Sequence, residues 1–279
     1  MIKKVLTGLL LAGAIIAAVA LAPFWVLGII LAVFVTGAAW EFAGLAAGRI
    51  LDSVVTAAGA LALVAASFFL DGEQFGMVAI QAVFLAGMIG LMVVLLSPAP
   101  IESAGRRAAM VVAGIVYVGL AGALCLRLFR PEQGFTAPVV ASGRWALLVA
   151  AMITWMNDTL AYFGGRLFGR SKMYPLISPN KTWAGSISGM VGSVGGAFLV
   201  TWLLRIDYPP LPLLALSLIG GALGQAGDLV ESLFKRSAGV KDSGNLFPGH
   251  GGMLDRIDAF LFVGPFTWAW LYLWFPLVR

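Results

Sequence analysis

Apolar residues in this chain come in long unbroken runs, separated by short segments where Gly, Pro and charged residues gather. The runs lack the two-residue alternation of a half-buried strand, which excludes a β-barrel. Each is about as long as the roughly 20 residues a helix needs to cross a hydrocarbon core. They predict spans over Val5–Leu21, Phe24–Leu45, Val54–Leu70, Phe75–Leu96, Ala108–Leu126, Trp145–Phe163, Trp183–Leu204, Leu211–Phe234 and Ala259–Leu277. The expected fold is all-α, a polytopic integral membrane protein with about nine transmembrane helices. Lys3, Lys4 and the small residues Ala18, Ala20 and Ala22 would also suit a cleaved signal peptide; the first span is expected to be retained.

Composition agrees: 61% of residues are hydrophobic, 11% are charged, and the mean hydropathy is +0.97. The cations fall unevenly. Arg127, Arg130, Arg144, Arg205 and Arg279 lie on one side of the expected membrane, and every other Lys and Arg lies on the other, with the N-terminus. By the positive-inside rule that side is cytoplasmic. The net charge of +5 therefore reports topology, and Arg106 and Arg107 read as topological determinants, not as a nucleic-acid surface. Cys125 stands alone inside an apolar run, as a packing residue. Gly185, Gly189, Gly192 and Gly196, and likewise Gly220 and Gly224, recur at the spacing of close helix contacts.

The pattern divides into residues 1–143, with about five spans, and a C-terminal region, 144–279, whose cytoplasmic segments 164–182 and 235–257 carry more polar chemistry than a hairpin requires. Carboxylates in a bilayer are costly, and Glu41, Asp158, Asp228 and Glu231 all fall in the cytoplasmic half of their helices. Asp255 and Asp258, three apart, are expected on one helical face. Such acids beside cationic loops suit a magnesium site that handles phosphate, and they equally suit structural ion pairs between helices; spacing leaves both open. GGRLFGRS, Gly164–Ser171, resembles a P-loop but follows a membrane span, not a strand, and so is set aside.

Ser232 to Asp258 reads SLFKRSAGVKDSGNLFPGHGGMLDRID, and upstream stand NDTLAYFGGRLFGR and SPNKTWAG. These segments resemble the signature blocks of phosphatidate cytidylyltransferases, the CDP-diacylglycerol synthases. Ala184 stands where many members carry Glu or Gln. The resemblance implies transfer of CMP from CTP to phosphatidate with release of pyrophosphate, in a bacterial cytoplasmic membrane. It implies a magnesium centre at Asp228, Asp255 and Asp258, with potassium as a further ion, and a homodimer.

The residues suit that chemistry. A phosphate monoester has a second pKa of about 6 and needs no strong base, so the difficulty lies in bringing two anions together. Lys181, Arg236, Lys241 and Arg256 are candidates to bind phosphates, and Gly249, Gly251 and Gly252 to let backbone approach the nucleotide. His250 is a candidate to orient a ligand, and Asn157 and Asp158 either contact nucleotide or bond helix to helix. The upstream blocks add Arg166, Ser178 and Thr182 as substrate-binding candidates. Glu231 either orients a cation or pairs with Lys235, and Glu41 lies outside the resemblance. Two other classes bury carboxylates in similar ways, secondary transporters and lipid kinases.

Overall fold

A computed structural model describes residues 19, 21–46, 49–96, 101–130, 143–246 and 251–271. Seven of its helices are long and apolar enough to cross a membrane: α1 (Phe24–Gly44), α2 (Ile50–Phe69), α3 (Gly72–Leu96), α4 (Ile101–Phe129), α5 (Arg144–Phe168), α6 (Trp183–Leu203) and α7 (Pro210–Ser237). The all-α polytopic fold expected from the hydrophobic runs is thus present, and the chain is an integral membrane protein. Helices suit such runs because each satisfies its own backbone hydrogen bonds where no water can.

Boundaries depart from the expected spans where charge enters a helix. α2 starts at Ile50, four residues before the expected Val54, and so takes in Asp52. α4 starts at Ile101, taking in Arg106 and Arg107, and winds as a π-helix over Gly114–Leu120. The first expected span, Val5–Leu21, lies almost wholly outside the described residues. The short helix α8 (Leu254–Ile257) precedes the ninth, whose described part holds α9 (Phe260–Ala269).

The segment after α5 is not a plain loop. β1 (Lys172–Tyr174) and β2 (Ser178–Thr182) pair as an antiparallel hairpin. Its last residue, Thr182, caps α6 by accepting a hydrogen bond from the Gly185 N–H at 3.1 Å.

Small residues let helices touch. A Cβ on Gly192 of α6 would lie 2.2 Å from the Met156 carbonyl oxygen of α5, and one on Gly196 would lie 2.8 Å from that of Met152. The glycine pattern is therefore a helix-packing device. One hydrophobic core joins both halves of the chain, with Val35, Leu126, Ile153, Leu216 and Val263 all buried in it. Phe42 of α1 meets Phe234 of α7 edge-on at 4.9 Å, and Tyr117 of α4 meets Phe262 of α9 at 5.7 Å. Cys125 is buried with its thiol facing the Phe260 carbonyl at 3.6 Å.

Two arginines read as topological determinants do more in the fold. Arg107 grips Asp52 through two 2.7 Å bonds, Nε to Oδ2 and Nη2 to Oδ1, with both side chains 2% exposed. Arg106 donates to the Leu45 carbonyl, so the pair ties α4 to the end of α1 and the start of α2. A doubly hydrogen-bonded guanidinium–carboxylate contact is the arrangement in which a buried pair can offset its own desolvation.

Candidate active site

Because successive spanning helices alternate in direction, the C-terminal ends of α1, α5 and α7 and the segments after α5 and α7 share one end of the bundle. The chain's polar chemistry is gathered there. α7 carries Asp228 and Glu231 three residues apart, on one face. α8 leads into α9 through Asp258, which closes the set: ligand oxygens of Asp228, Glu231 and Asp258 all lie within 4.8 Å of one another. Glu231 is 1% exposed and its Oε1 has no hydrogen-bond partner. Three carboxylates this close repel one another, and a buried oxygen without a partner is costly. The arrangement suits a bound cation, and magnesium fits a donor set made only of carboxylate oxygens.

Asp255 stands outside that trio, although its three-residue spacing from Asp258 suggested a shared face. Its Oδ1 lies 2.5 Å from Lys235 Nζ, which also lies 2.5 Å from Glu231 Oε2. Its Oδ2 accepts from the Ser243 and Gly252 N–H groups at 2.9 and 2.7 Å. Burial alone would raise this carboxyl, but the Lys235 ammonium and those backbone donors together hold it well below the usual carboxylate range. Gly251 has a φ of +79°, and a Cβ there would lie 2.6 Å from Asp255 Oδ2; a glycine is required on both counts.

The hairpin brings cations to the same place. Lys181 of β2 meets Asp228 Oδ2 at 2.8 Å. Arg236 donates to the carbonyls of Ile177 and Val240, linking the hairpin to the end of α7. Lys241 and Arg256 are exposed at this end. Arg166 is also exposed and donates to the Tyr162 hydroxyl at 3.2 Å, and Ser178 sits in the hairpin opposite Tyr174. Thr182 is buried in its capping role. Phe247, Pro248, Gly249 and His250 lie outside the described residues.

Asn157 is drawn into helix packing. It is buried, its Nδ2 donates to Ser193 Oγ and the Gly221 carbonyl at 2.8 and 3.2 Å, and its Oδ1 accepts from Gln225 Nε2 at 3.1 Å. Of the two alternatives left open for it, the geometry favours helix–helix bonding, because both ends of the amide are engaged by α6 and α7. Its neighbour Asp158 is exposed and borders a shallow crevice lined also by Thr154, Gly221, Gly224 and Val263.

Glu41 was without a partner in sequence. It reaches from α1 into the segment before α8, accepting from the Met253 and Leu254 N–H groups, each at 3.0 Å. Gln225 holds Asn157, and its Oε1 accepts from Ser186 Oγ at 2.5 Å. A polar residue one turn before Asp228 in an apolar helix was the only signal it offered.

Fold and cluster define an integral membrane protein whose carboxylates and cations converge at one end of its helices. The chain belongs to the cytidylyltransferase family, whose sequence pattern matches residues 2–274. It is 46% identical over 125 residues to a phosphatidate cytidylyltransferase of Staphylococcus haemolyticus, a match covering 45% of this chain and 48% of that protein. It is 42% identical over 158 residues to one of Staphylococcus saprophyticus, covering 57% and 56% respectively. A third, from Staphylococcus epidermidis, is 37% identical over 189 residues, covering 67% and 68%. The chain thus spans about half the length of the first two relatives.

Proposed function

We propose that the protein transfers the CMP moiety of CTP to phosphatidate, giving CDP-diacylglycerol and pyrophosphate for phospholipid synthesis, at the cytoplasmic face of a bacterial inner membrane. Membership of the family and the names of the relatives support the reaction. The observation that carries it is the trio of Asp228, Glu231 and Asp258, with a buried oxygen of Glu231 left unpartnered.

In this reaction a phosphatidate oxygen attacks the α-phosphorus of CTP, and the bond to the bridging oxygen of the β-phosphate breaks as pyrophosphate leaves. The attacking phosphate is already largely ionised near neutral pH, with a second pKa of about 6, so no side chain has to remove a proton. What the protein must supply is offset charge and alignment. A magnesium ion, when bound, supplies neutralising charge on phosphate oxygens. Asp228, Glu231 and Asp258 would hold it, with Asp255 beside them at the far side of the Lys235 ammonium. Lys181, Arg236, Lys241 and Arg256 ring the same end of the bundle and bind phosphates. Lys181 is kept at hand by Asp228 until an anion arrives. Potassium, a contact from His250 and a homodimer belong to the proposal from the resemblance alone. Meeting at the bundle's end suits a lipid whose phosphate lies at the headgroup plane and a nucleotide that comes from the aqueous side.

The test is to incubate purified protein with magnesium, CTP and phosphatidate, and to look for pyrophosphate and a CMP-bearing lipid, with ATP and UTP as controls. Release of a nucleoside diphosphate would point to a lipid kinase, and solute uptake by proteoliposomes without CTP turnover to a transporter; either would overturn the proposal.

A further inference from the structure

Glu41 is a carboxylate that the reaction leaves unused. It belongs to α1, yet it bonds to Ser243 and to the backbone at the start of α8. That short helix starts with backbone N–H groups that have no partner inside it, and its preceding residue, Met253, has no side-chain acceptor to offer. Acceptors come from elsewhere. The Gly252 N–H donates to Asp255 Oδ2, the Met253 N–H to Glu41 Oε1 and the Leu254 N–H to Glu41 Oε2, so two carboxylates take three consecutive N–H groups. Ser243 Oγ lies 2.8 Å from both Glu41 Oε2 and Asp255 Oδ2 and joins them.

The surroundings are shaped for this contact. A Cβ on Gly252 would lie 2.2 Å from Glu41 Oε2, and one on Gly244 would lie 2.3 Å from Glu41 Oε1. One turn earlier on α1, a Cβ on Gly37 would lie 2.0 Å from Met253 Sδ. Gly37 and Glu41 therefore form one face of α1, four residues apart, on which Met253 and the two glycines sit.

We propose that Glu41 is a positioning residue for the reaction. It fixes the segment carrying Asp255 and Asp258 against α1, so that Asp258 meets Asp228 and Glu231 of α7. Lys235 holds this segment from the α7 side; Glu41 holds it from the other. The proposal rests on the function proposed above for the trio. Small displacements of catalytic groups can cost about a hundredfold in rate, which sets the scale of the effect.

The test uses the full chain, with Glu41→Ala, Glu41→Gln and, as a perturbation of the same seat that keeps the carboxylate, Gly37→Val. Turnover is measured against CTP, phosphatidate and magnesium concentration, alongside thermal unfolding and hydrogen exchange of the 243–255 amides. The expected result for Glu41→Ala is a fall in kcat of at least about tenfold, a raised magnesium requirement and a smaller change in KM for CTP. Exchange should quicken at the Met253 and Leu254 amides, with the α5–α6 contact still protected. Glu41→Gln, which keeps one acceptor oxygen, should recover part of kcat, and Gly37→Val should resemble Glu41→Ala. Unchanged kcat and magnesium dependence in Glu41→Ala would overturn the proposal, and so would a loss of protection across the whole chain. If the wild type makes no CMP-bearing lipid, the assigned reaction fails; the exchange data still decide whether Glu41 holds the segment.

Discussion

The Lys235 ammonium lies 2.5 Å from Oδ1 of Asp255, across the gap between α7 and α8. The same nitrogen lies 2.5 Å from Glu231 Oε2, so a single cation serves two carboxylates that are 1% and 7% exposed. Removing it would leave both without a counter-charge. Lys235→Met should destabilise the protein by about 3–5 kcal/mol, the scale for breaking a buried pair. A fall in the thermal midpoint of the purified protein, together with loss of turnover, is the expected outcome; an unchanged midpoint would show that the two acids do not depend on Lys235.

Glu231 presents the opposite case, with one oxygen on Lys235 and the other without a partner. Glu231→Gln keeps its shape and removes a charge from the trio. The magnesium concentration for half-maximal turnover should rise at least about tenfold, while the thermal midpoint holds or rises. A magnesium titration that superimposes on the wild type would remove Glu231 from the site.

Arg107 and Asp52 form a second buried pair, between the starts of α4 and α2. Arg107→Met should cost about 3–5 kcal/mol by stranding Asp52, and adding Asp52→Asn should recover part of it. Unfolding midpoints of the two single variants and the double variant measure the coupling. KM for CTP should stay unchanged in all three, since these two charges are spent on each other.

Two glycines of α6 separate packing from composition. Alanine at Gly192 would place its Cβ 2.2 Å from the Met156 carbonyl oxygen, whereas at Gly195 it would meet nothing within 4 Å. Gly192→Ala should lower stability by about 1–3 kcal/mol, as overpacking does. Gly195→Ala should be neutral or slightly stabilising, because alanine is the better helix former. Equal effects at the two positions would show that α5 and α6 do not pack this closely.

Much of this molecule follows from local sequence. Continuous apolar runs place the spanning helices, since only a helix satisfies its backbone within the bilayer without help from another segment. The three-residue spacing of Asp228 and Glu231 puts them on one face, and the four-residue glycine spacing marks a helix contact. Which carboxylates meet is another matter. Asp255 and Asp258 share the spacing of Asp228 and Glu231, yet one turns to Lys235 and Ser243 while the other joins the trio. Glu41 lies more than 200 residues before the N–H groups it accepts, and Arg107 lies 55 residues after Asp52. A helix's own periodicity fixes which of its residues share a face, but the packing of one helix on another fixes what that face meets. The tertiary structure alone therefore decided the partners of Glu41, Asp52 and Asn157.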